Sequence, residues 1–142
     1  MILEWEERYS LNHELLDSQH QVLFDLAAKV QHLDSQTTTK AELSMLFKEF
    51  FDYMALHFKE EEAYMLSLHY PLYEKHKKLH ESIIVGMTKI LKEKKSIEAL
   101  QESMKFITKK WLVEHILEND LKIERFRKSL IVTEDDLKGD AL

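Results

Sequence analysis

The stretch YMALHFKEEEAYM at residues 53–65 combines an apolar helical pattern with two side chains that can bind metal. His57 and Glu61 are four positions apart, which places both side chains on one face of a helix, about 6 Å apart along its axis. Met54 and Phe58 belong to the same side of that helix. The pattern predicts that this side faces a core, where a charged or imidazole group is unfavourable unless it is paired. A bound metal is a suitable partner.

Three further stretches show the same combination: LLDSQHQVLF (15–24), YPLYEKHKKLH (70–80) and WLVEHILEND (111–120). In the acidic run 60–62, the helical phase set by His57 selects Glu61. The candidate ligand set comprises five imidazoles and two carboxylates on the predicted inner faces of four helices, namely His20, His57, Glu61, His76, His80, His115 and Asp120.

The composition narrows the classes of protein that this chain can be. With 142 residues and 44% hydrophobic content it can form one domain with a real core, and two Gly and one Pro are few turn formers for a β-rich fold. The formal net charge of −6 argues against nucleic-acid binding, and the lack of Cys leaves only imidazole and carboxylate ligands. We expect no signal peptide, no membrane segment and a cytoplasmic location.

The apolar periodicity predicts four helices. Leu72 is expected to begin the inward face of the third helix, and the charged run 92–95 to be its solvated end. The expected bounds are Asp17 as N-cap to Asp34 for the first helix, Thr39 as N-cap to about Ser67 for the second, Pro71 in the first turn of the third, and about Ser96 at the start of the fourth.

Helices of this length with short connections predict an all-α, up-down-up-down four-helix bundle. Trp5 and Leu11 are expected to lay an N-terminal arm over the bundle, and a short C-terminal helix or tail follows the fourth helix. We expect one domain at residues 1–130 and an acidic, disordered tail at 131–142.

The donor types predict an iron centre with one free position. Five imidazoles and two bridging carboxylates supply nine donor atoms. Two octahedral irons that share one solvent-derived bridge have twelve positions, of which that bridge fills two. One position is left for a small ligand such as O2. A shell rich in histidine and poor in carboxylate favours reversible O2 binding over oxygen activation.

The spacing of His115 and Asp120 is unusual, because five residues turn an ideal α-helix about 140° away from alignment. Both side chains can reach one centre only if the helix ends, loosens or bulges between them.

The remaining histidines and the methionines are expected to be surface or core residues and not metal ligands. A single His on a helix is most often a surface or satisfied core residue, and a His/Glu pair four apart is common as an exposed pair. His13, His32 and His69 are outside the register and are expected at the surface. The methionines are expected in the core and not as copper ligands, namely Met54, Met65, Met87 and Met104.

Together, the four quoted stretches resemble the hemerythrins, above all the single-domain bacterial members, in the same order and from about Trp5 to Phe126. The resemblance implies two non-heme irons with an oxo or hydroxo bridge. It assigns one iron to His76, His80 and His115, the second, with the open O2 position, to His20 and His57, and both carboxylate bridges to Glu61 and Asp120. It also implies an apolar O2 pocket formed by Leu23, Phe58, Trp111 and Leu112.

The chain departs from the family pattern at two loops. The family usually has Gly where this chain has Asn12 or His13, and again where it has His69 before the Tyr-Pro pair. Both departures concern loop shape and not the ligand set.

Three functions are compatible with the resemblance. The leading one is a non-enzymatic O2-binding protein for storage, delivery or scavenging. The second is an O2 or redox sensor that acts through a partner, and the third is a di-iron oxidase, a peroxidase or a nitric oxide-handling enzyme.

Overall fold

Four helical rods pack side by side in the computed structural model, which describes residues 3–93 and 96–130. Over those residues all regular secondary structure is helical and no strand is present, as the sequence predicted. The first three rods are single helices, and the fourth is a continuous succession of α4, two π-helical segments and α5. The bounds are α1 Glu14–His32, α2 Lys40–Ser67, α3 Tyr73–Lys92, α4 Ile97–Phe106, π segments Ile107–Glu114 and Ile116–Asp120, and α5 Leu121–Ser129.

The connections between these rods are short, and α1 packs on α2 and α4 while α2 packs on α3. This arrangement is the up-down-up-down four-helix bundle expected from the sequence. The helix α5 is the short C-terminal helix of that prediction, and it extends the fourth rod without a turn. The expected tail at 131–142 lies outside the described residues.

The first helix begins earlier than predicted. Its N-cap is His13, whose Nδ1 accepts a hydrogen bond from the Leu16 backbone N–H at 3.2 Å, so the prediction of Asp17 as N-cap was wrong. Asp17 instead accepts hydrogen bonds from the Leu11 backbone N–H at 2.8 Å and the Ser10 hydroxyl at 2.6 Å. The carboxylate therefore ties the N-terminal arm to α1.

The N-terminal arm lies on the bundle, as the sequence predicted. It contains a short 3-10 helix, Glu7–Tyr9, and Leu11 is buried while Trp5 is partly buried against the core. His13 is also only partly exposed, and its ring lies 4.4 Å from that of Tyr64, centroid to centroid. His13 therefore lies outside the ligand set at a partly exposed position, as expected, but it also packs on Tyr64.

The second helix has the predicted bounds, and the third does not. Thr39 and Glu42 form a reciprocal capping box at the start of α2, which ends at Ser67. Pro71 lies in the turn before α3 and not in its first turn, because Leu72 is the N-cap and Tyr73 the first helical residue. Leu72 is 42% exposed, so its placement on the inward face was also wrong.

The two loops that depart from the family pattern keep a glycine-like backbone. Asn12 has φ 52° and His69 has φ 54°, both in the left-handed region where Gly is the unstrained residue. After α2, the His69 N–H donates to the Leu66 carbonyl and the Tyr70 N–H to the Met65 carbonyl. This pair of bonds is a Schellman motif, whose left-handed position is usually glycine.

Apolar side chains from all four rods form the main core cluster, which includes Phe47, Phe50 and Ile107. A smaller cluster contains Met65, Tyr70 and Ile123. The four methionines expected in the core are all 0% exposed, and three of them lie in the main cluster. Of the helices that the structure describes, none is long and apolar enough to cross a membrane.

Candidate metal centre

All seven predicted ligands converge inside the bundle. Each is at most 6% exposed, although each is polar or charged. Their donor atoms form two overlapping groups, within each of which the atoms lie within 4.8 Å of one another. One group has three histidines and the other has two, and both carboxylates belong to both groups: His76, His80 and His115 with Glu61 and Asp120, and His20 and His57 with the same Glu61 and Asp120.

Glu61 divides its two oxygens between the groups. Its Oε1 lies 2.9 Å from His76 Nε2 and 3.0 Å from His80 Nε2. Its Oε2 lies 3.5 Å from His57 Nε2 and 3.9 Å from His20 Nε2. One carboxylate thus presents one oxygen to each group, which is the arrangement of a bridging ligand.

Asp120 divides its oxygens in the same way. Its Oδ1 lies 3.0 Å from His76 Nε2 and 3.2 Å from His115 Nε2, whereas its Oδ2 lies 3.3 Å from His20 Nε2. Asp120 reaches the centre because it ends the π segment Ile116–Asp120. Hydrogen bonds of the i→i+5 type widen the helical turn, so residues five apart come to one face. The predicted loosening between His115 and Asp120 is confirmed.

The donor set fits a metal. Buried polar atoms are normally hydrogen-bonded. Here the Nε2 atoms of four histidines and both oxygens of Glu61 are buried without a hydrogen-bond partner of good geometry, although they lie close to one another. Imidazole nitrogen and carboxylate oxygen are the donors that iron and zinc accept, and coordination would satisfy these atoms.

Three polar side chains that were not predicted from the sequence contact the Nδ1 atoms of three of the imidazoles. His57 Nδ1 lies 2.8 Å from Gln19 Oε1, and His80 Nδ1 lies 2.8 Å from Glu62 Oε2. The Asn119 side-chain amide lies 3.4 Å from His115 Nδ1. Gln19, Glu62 and Asn119 each directly adjoin a predicted ligand in the sequence, and this adjacency was the only available signal.

The electrostatic environment differs among the histidines of the metal-free chain. Burial lowers the pKa of His76, but Asp120 and Glu61 outweigh burial and raise it to about 10. Burial also opposes protonation of His20, and the same two carboxylates, mainly Asp120, prevail and raise its pKa. Burial prevails at His57, with a further contribution from His20, and the pKa is lowered.

Both carboxylates stay ionised in spite of their burial. Burial and the charge of Asp120 raise the pKa of Glu61, but the close imidazoles of His57, His76 and His80 prevail and lower it below its ordinary value. Burial also opposes ionisation of Asp120, and the surrounding imidazoles lower its pKa well below the usual range. The centre therefore offers two anions to bound cations.

The apolar surroundings include the four residues predicted for an O2 pocket. Phe58 stacks on His80 with ring centroids 3.8 Å apart, and its centroid is 6.0 Å from those of both His57 and His115. Leu23 and Leu112 are buried in the same core cluster as Phe58. Trp111 is partly buried and packs against that cluster, next to Gly86 of α3. Direct contact of Leu23, Trp111 and Leu112 with a bound ligand stays a prediction.

Known proteins resemble the chain over most of its length. A bacteriohemerythrin of Campylobacter jejuni subsp. jejuni is 29% identical over 129 residues, which are 87% of this chain and 97% of that protein. A hemerythrin of Sipunculus nudus is 30% identical over 121 residues, covering 85% of this chain and 90% of that protein. A bacteriohemerythrin of Methylococcus capsulatus is 31% identical over 111 residues, covering 76% and 82%. No solved structure gave a significant match.

The sequence model of the family described as "Hemerythrin HHE cation binding domain" matches residues 11–126. This range contains all seven converging side chains and the four rods that carry them, up to most of α5. The described function, cation binding, agrees with the donor atoms at the centre of the bundle. The chain therefore belongs to the hemerythrin family.

Proposed function

We propose that the two ligand groups hold two irons and that this centre binds O2 reversibly. The observation that carries the proposal is the division of the site into three and two histidines with both carboxylates shared. Membership of the hemerythrin family supports it. When bound at Glu61, Asp120 and the five histidines, two ferrous ions would supply the reducing electrons that reversible O2 binding requires.

The protein's part is to fix the two cations at one separation. Glu61 and Asp120 each direct one oxygen to either group, so they offset the charge of both cations. The group with only His20 and His57 has one imidazole fewer, so a metal held there would have room for a small ligand. We assign O2 to that side of the centre.

The proposal includes binding without turnover. Imidazoles, which are neutral when they coordinate metal, outnumber carboxylates five to two in the converging set. Oxygen-activating di-iron bundles use four carboxylates, whose negative charge favours high-valent iron. A shell with fewer anions stabilises the oxidised metal less and favours release of O2 unchanged.

The apolar residues Leu23, Phe58, Trp111 and Leu112, here called the apolar wall, have a separate function, which is to exclude water and protons from the centre. Phe58 covers the face of His80, and Leu23 and Leu112 are at most 2% exposed. A dry surround limits the proton delivery that would turn bound O2 into released peroxide. Stable, reversible binding depends on this exclusion.

An absorption spectrum under controlled gas tests the proposal. The iron-loaded chain is reduced without oxygen, exposed to air, and returned to argon over several cycles. We expect a visible band that appears in air and disappears under argon, with the same amplitude in each cycle. Continuous O2 consumption with an added reductant, without such a band, would overturn reversible binding in favour of an enzyme.

A further inference from the structure

Two histidines of the centre have chemically different groups at Nδ1, the ring nitrogen that points away from Glu61. His80 Nδ1 faces the Glu62 carboxylate at 2.8 Å, and His57 Nδ1 faces the Gln19 amide oxygen at 2.8 Å. We infer that Glu62 and Gln19 are positioning residues that make the two metals unequal, with the ion held by His80 bound more tightly and reduced less easily than the ion held by His57. This inference rests on the proposed function, because it assumes that both groups are filled.

The hydrogen bonds fix which nitrogen can bind metal. The Nε2 atoms of His57 and His80 point to Glu61 at 3.5 Å and 3.0 Å, so Nδ1 is the nitrogen left to carry the proton. An N–H at that position donates to Gln19 Oε1 or Glu62 Oε2. Each partner thus holds one imidazole in the tautomer and orientation that coordination requires.

The charges of the two acceptors differ. A hydrogen bond to a carboxylate is stronger than one to a neutral amide and shifts more electron density onto the imidazole. The side chain of Glu62 is 18% exposed and that of His80 is 2% exposed, so water screens the pair only partly. The imidazole of His80 should therefore be the stronger donor of the two and should favour the oxidised metal.

Ring packing also differs between His80 and His57, and it favours the same inequality between the two metals. The ring of Phe58 stacks on His80 with an interplanar angle of 7°. His80 is thus held by its edge and by its face, and both contacts come from α2, which also supplies Glu61. His57 instead contacts Gln19 of α1, which is 5% exposed, and its ring meets that of His20 edge-on and has, among the described residues, no stacked neighbour like Phe58. The neutral acceptor Gln19 therefore lies on the side to which we assign O2. Release of O2 requires that the iron on this side returns easily to the ferrous state.

Two charge-changing variants of the full chain test the inference. Glu62→Gln keeps a hydrogen-bond acceptor and removes its charge, whereas Gln19→Glu adds a charge behind His57. Glu60→Gln is the matched control, because Glu60 lies on the same helix, directly before Glu61, and is not one of the converging donors. Each protein is loaded with iron and reduced, and iron release to a ferrous chelator and the midpoint potentials are measured without oxygen.

We expect Glu62→Gln to lower the affinity for the more tightly held iron about tenfold and to raise its midpoint potential, because positioning partners of this kind typically contribute about 10- to 100-fold. Gln19→Glu should tighten the other iron and lower its potential. Glu60→Gln should match the wild type in both measurements. A purely structural role of Glu62 would alter thermal stability without shifting a potential.

The outcomes separate this inference from the proposed function. Unchanged potentials and chelator profiles in both variants would overturn the inference, and so would an equal shift in Glu60→Gln. A wild-type chain that holds two irons but shows no reversible O2 band would overturn the O2 proposal alone, and the variants would still decide the inference. A chain that holds fewer than two irons overturns both.

Discussion

His115 Nε2 lies 3.2 Å from Asp120 Oδ1, although the two residues are five apart on the same helical rod. An α-helix would direct these side chains to different faces, and the π segment Ile116–Asp120 removes that conflict. Asp120 is thereby shared by both histidine groups, as Glu61 is. The number of metals and the function of the bridges follow from this geometry and can be measured.

Metal analysis is the first measurement. Because two overlapping groups share both carboxylates, the chain made in iron-replete cells should contain about two irons. Imidazole-rich sites also accept zinc, so zinc should be determined in the same sample. A content near one metal per chain, or mainly zinc, would contradict the di-iron centre.

Removal of one bridge should release both metals. Glu61→Ala takes away an oxygen from each group and leaves the two cations with Asp120 as their only common anion. We expect loss of both irons and a lower melting temperature, because metal that binds only the folded chain stabilises it. Glu60→Ala, a neighbour outside the set, should keep both irons. Retention of two irons in Glu61→Ala would show that the centre is elsewhere.

The sequence predicted this site better than it predicted the ends of the helices. Ligand spacing follows helical geometry, so His57 with Glu61 and His76 with His80 were identifiable, and the five-residue step to Asp120 indicated a widened turn. The N-cap of α1 was not identifiable, because a histidine ring nitrogen performs a role that usually belongs to Ser, Thr, Asp or Asn.

Contacts between residues that are far apart in the chain could not be predicted from one sequence. Gln19 and His57 are 38 positions apart, and Glu62 and His80 are 18 apart. Their contacts depend on which faces of α1, α2 and α3 meet, which periodicity alone does not determine. The left-handed backbone at His69 could be suspected only from the departure of the loop from the family's glycine.

The metal-free chain should lose stability as the pH rises from about 7 to about 9. His76 has a pKa of about 10 in the folded state, above the ordinary value of 6.5. A histidine whose pKa is higher in the folded than in the unfolded state contributes its full stabilisation when the pH is below the unfolded-state pKa. This contribution declines as the pH rises toward the folded-state pKa. His20 acts in the same direction. Thermal melts at both pH values should show the decline without metal, and a much smaller decline with metal bound.

The raised pKa of His76 also predicts that the chain releases protons when metal binds. His76 must be neutral to coordinate, so zinc added to the metal-free chain at about pH 7.5 in weak buffer should acidify the solution. A pH indicator dye measures the protons released per zinc. Absence of release would show that His76 is already neutral at this pH.

His69→Gly should stabilise the chain by about 1 kcal/mol. His69 has φ 54° at the Schellman position after α2, and it is exposed, so glycine relieves backbone strain at little loss of contact. Asn12→Gly should gain less, because asparagine tolerates the left-handed region better than histidine does. Chemical denaturation of the metal-loaded chain measures both. A loss of stability in His69→Gly would mean that the imidazole makes an important contact.

Leu112 provides the sharpest test of the apolar wall. It is 2% exposed in the core cluster that contains Phe58, and Phe58 covers His80. Leu112→Ala should admit water, increase the rate of autoxidation and release more peroxide while the iron content stays the same. The measurement is the decay of the air-formed visible band, with peroxide assayed in parallel.

Leu100→Ala is the matched control for that experiment. Leu100 is also a buried core leucine of the fourth rod, twelve positions before Leu112 and thus several helical turns away. Both substitutions should cost about 2–4 kcal/mol of stability, because each leaves a cavity of similar size. Only Leu112→Ala should shorten the lifetime of the band. Equal lifetimes in the two variants would show that the autoxidation rate follows general stability, and that Leu112 does not shield the O2 site.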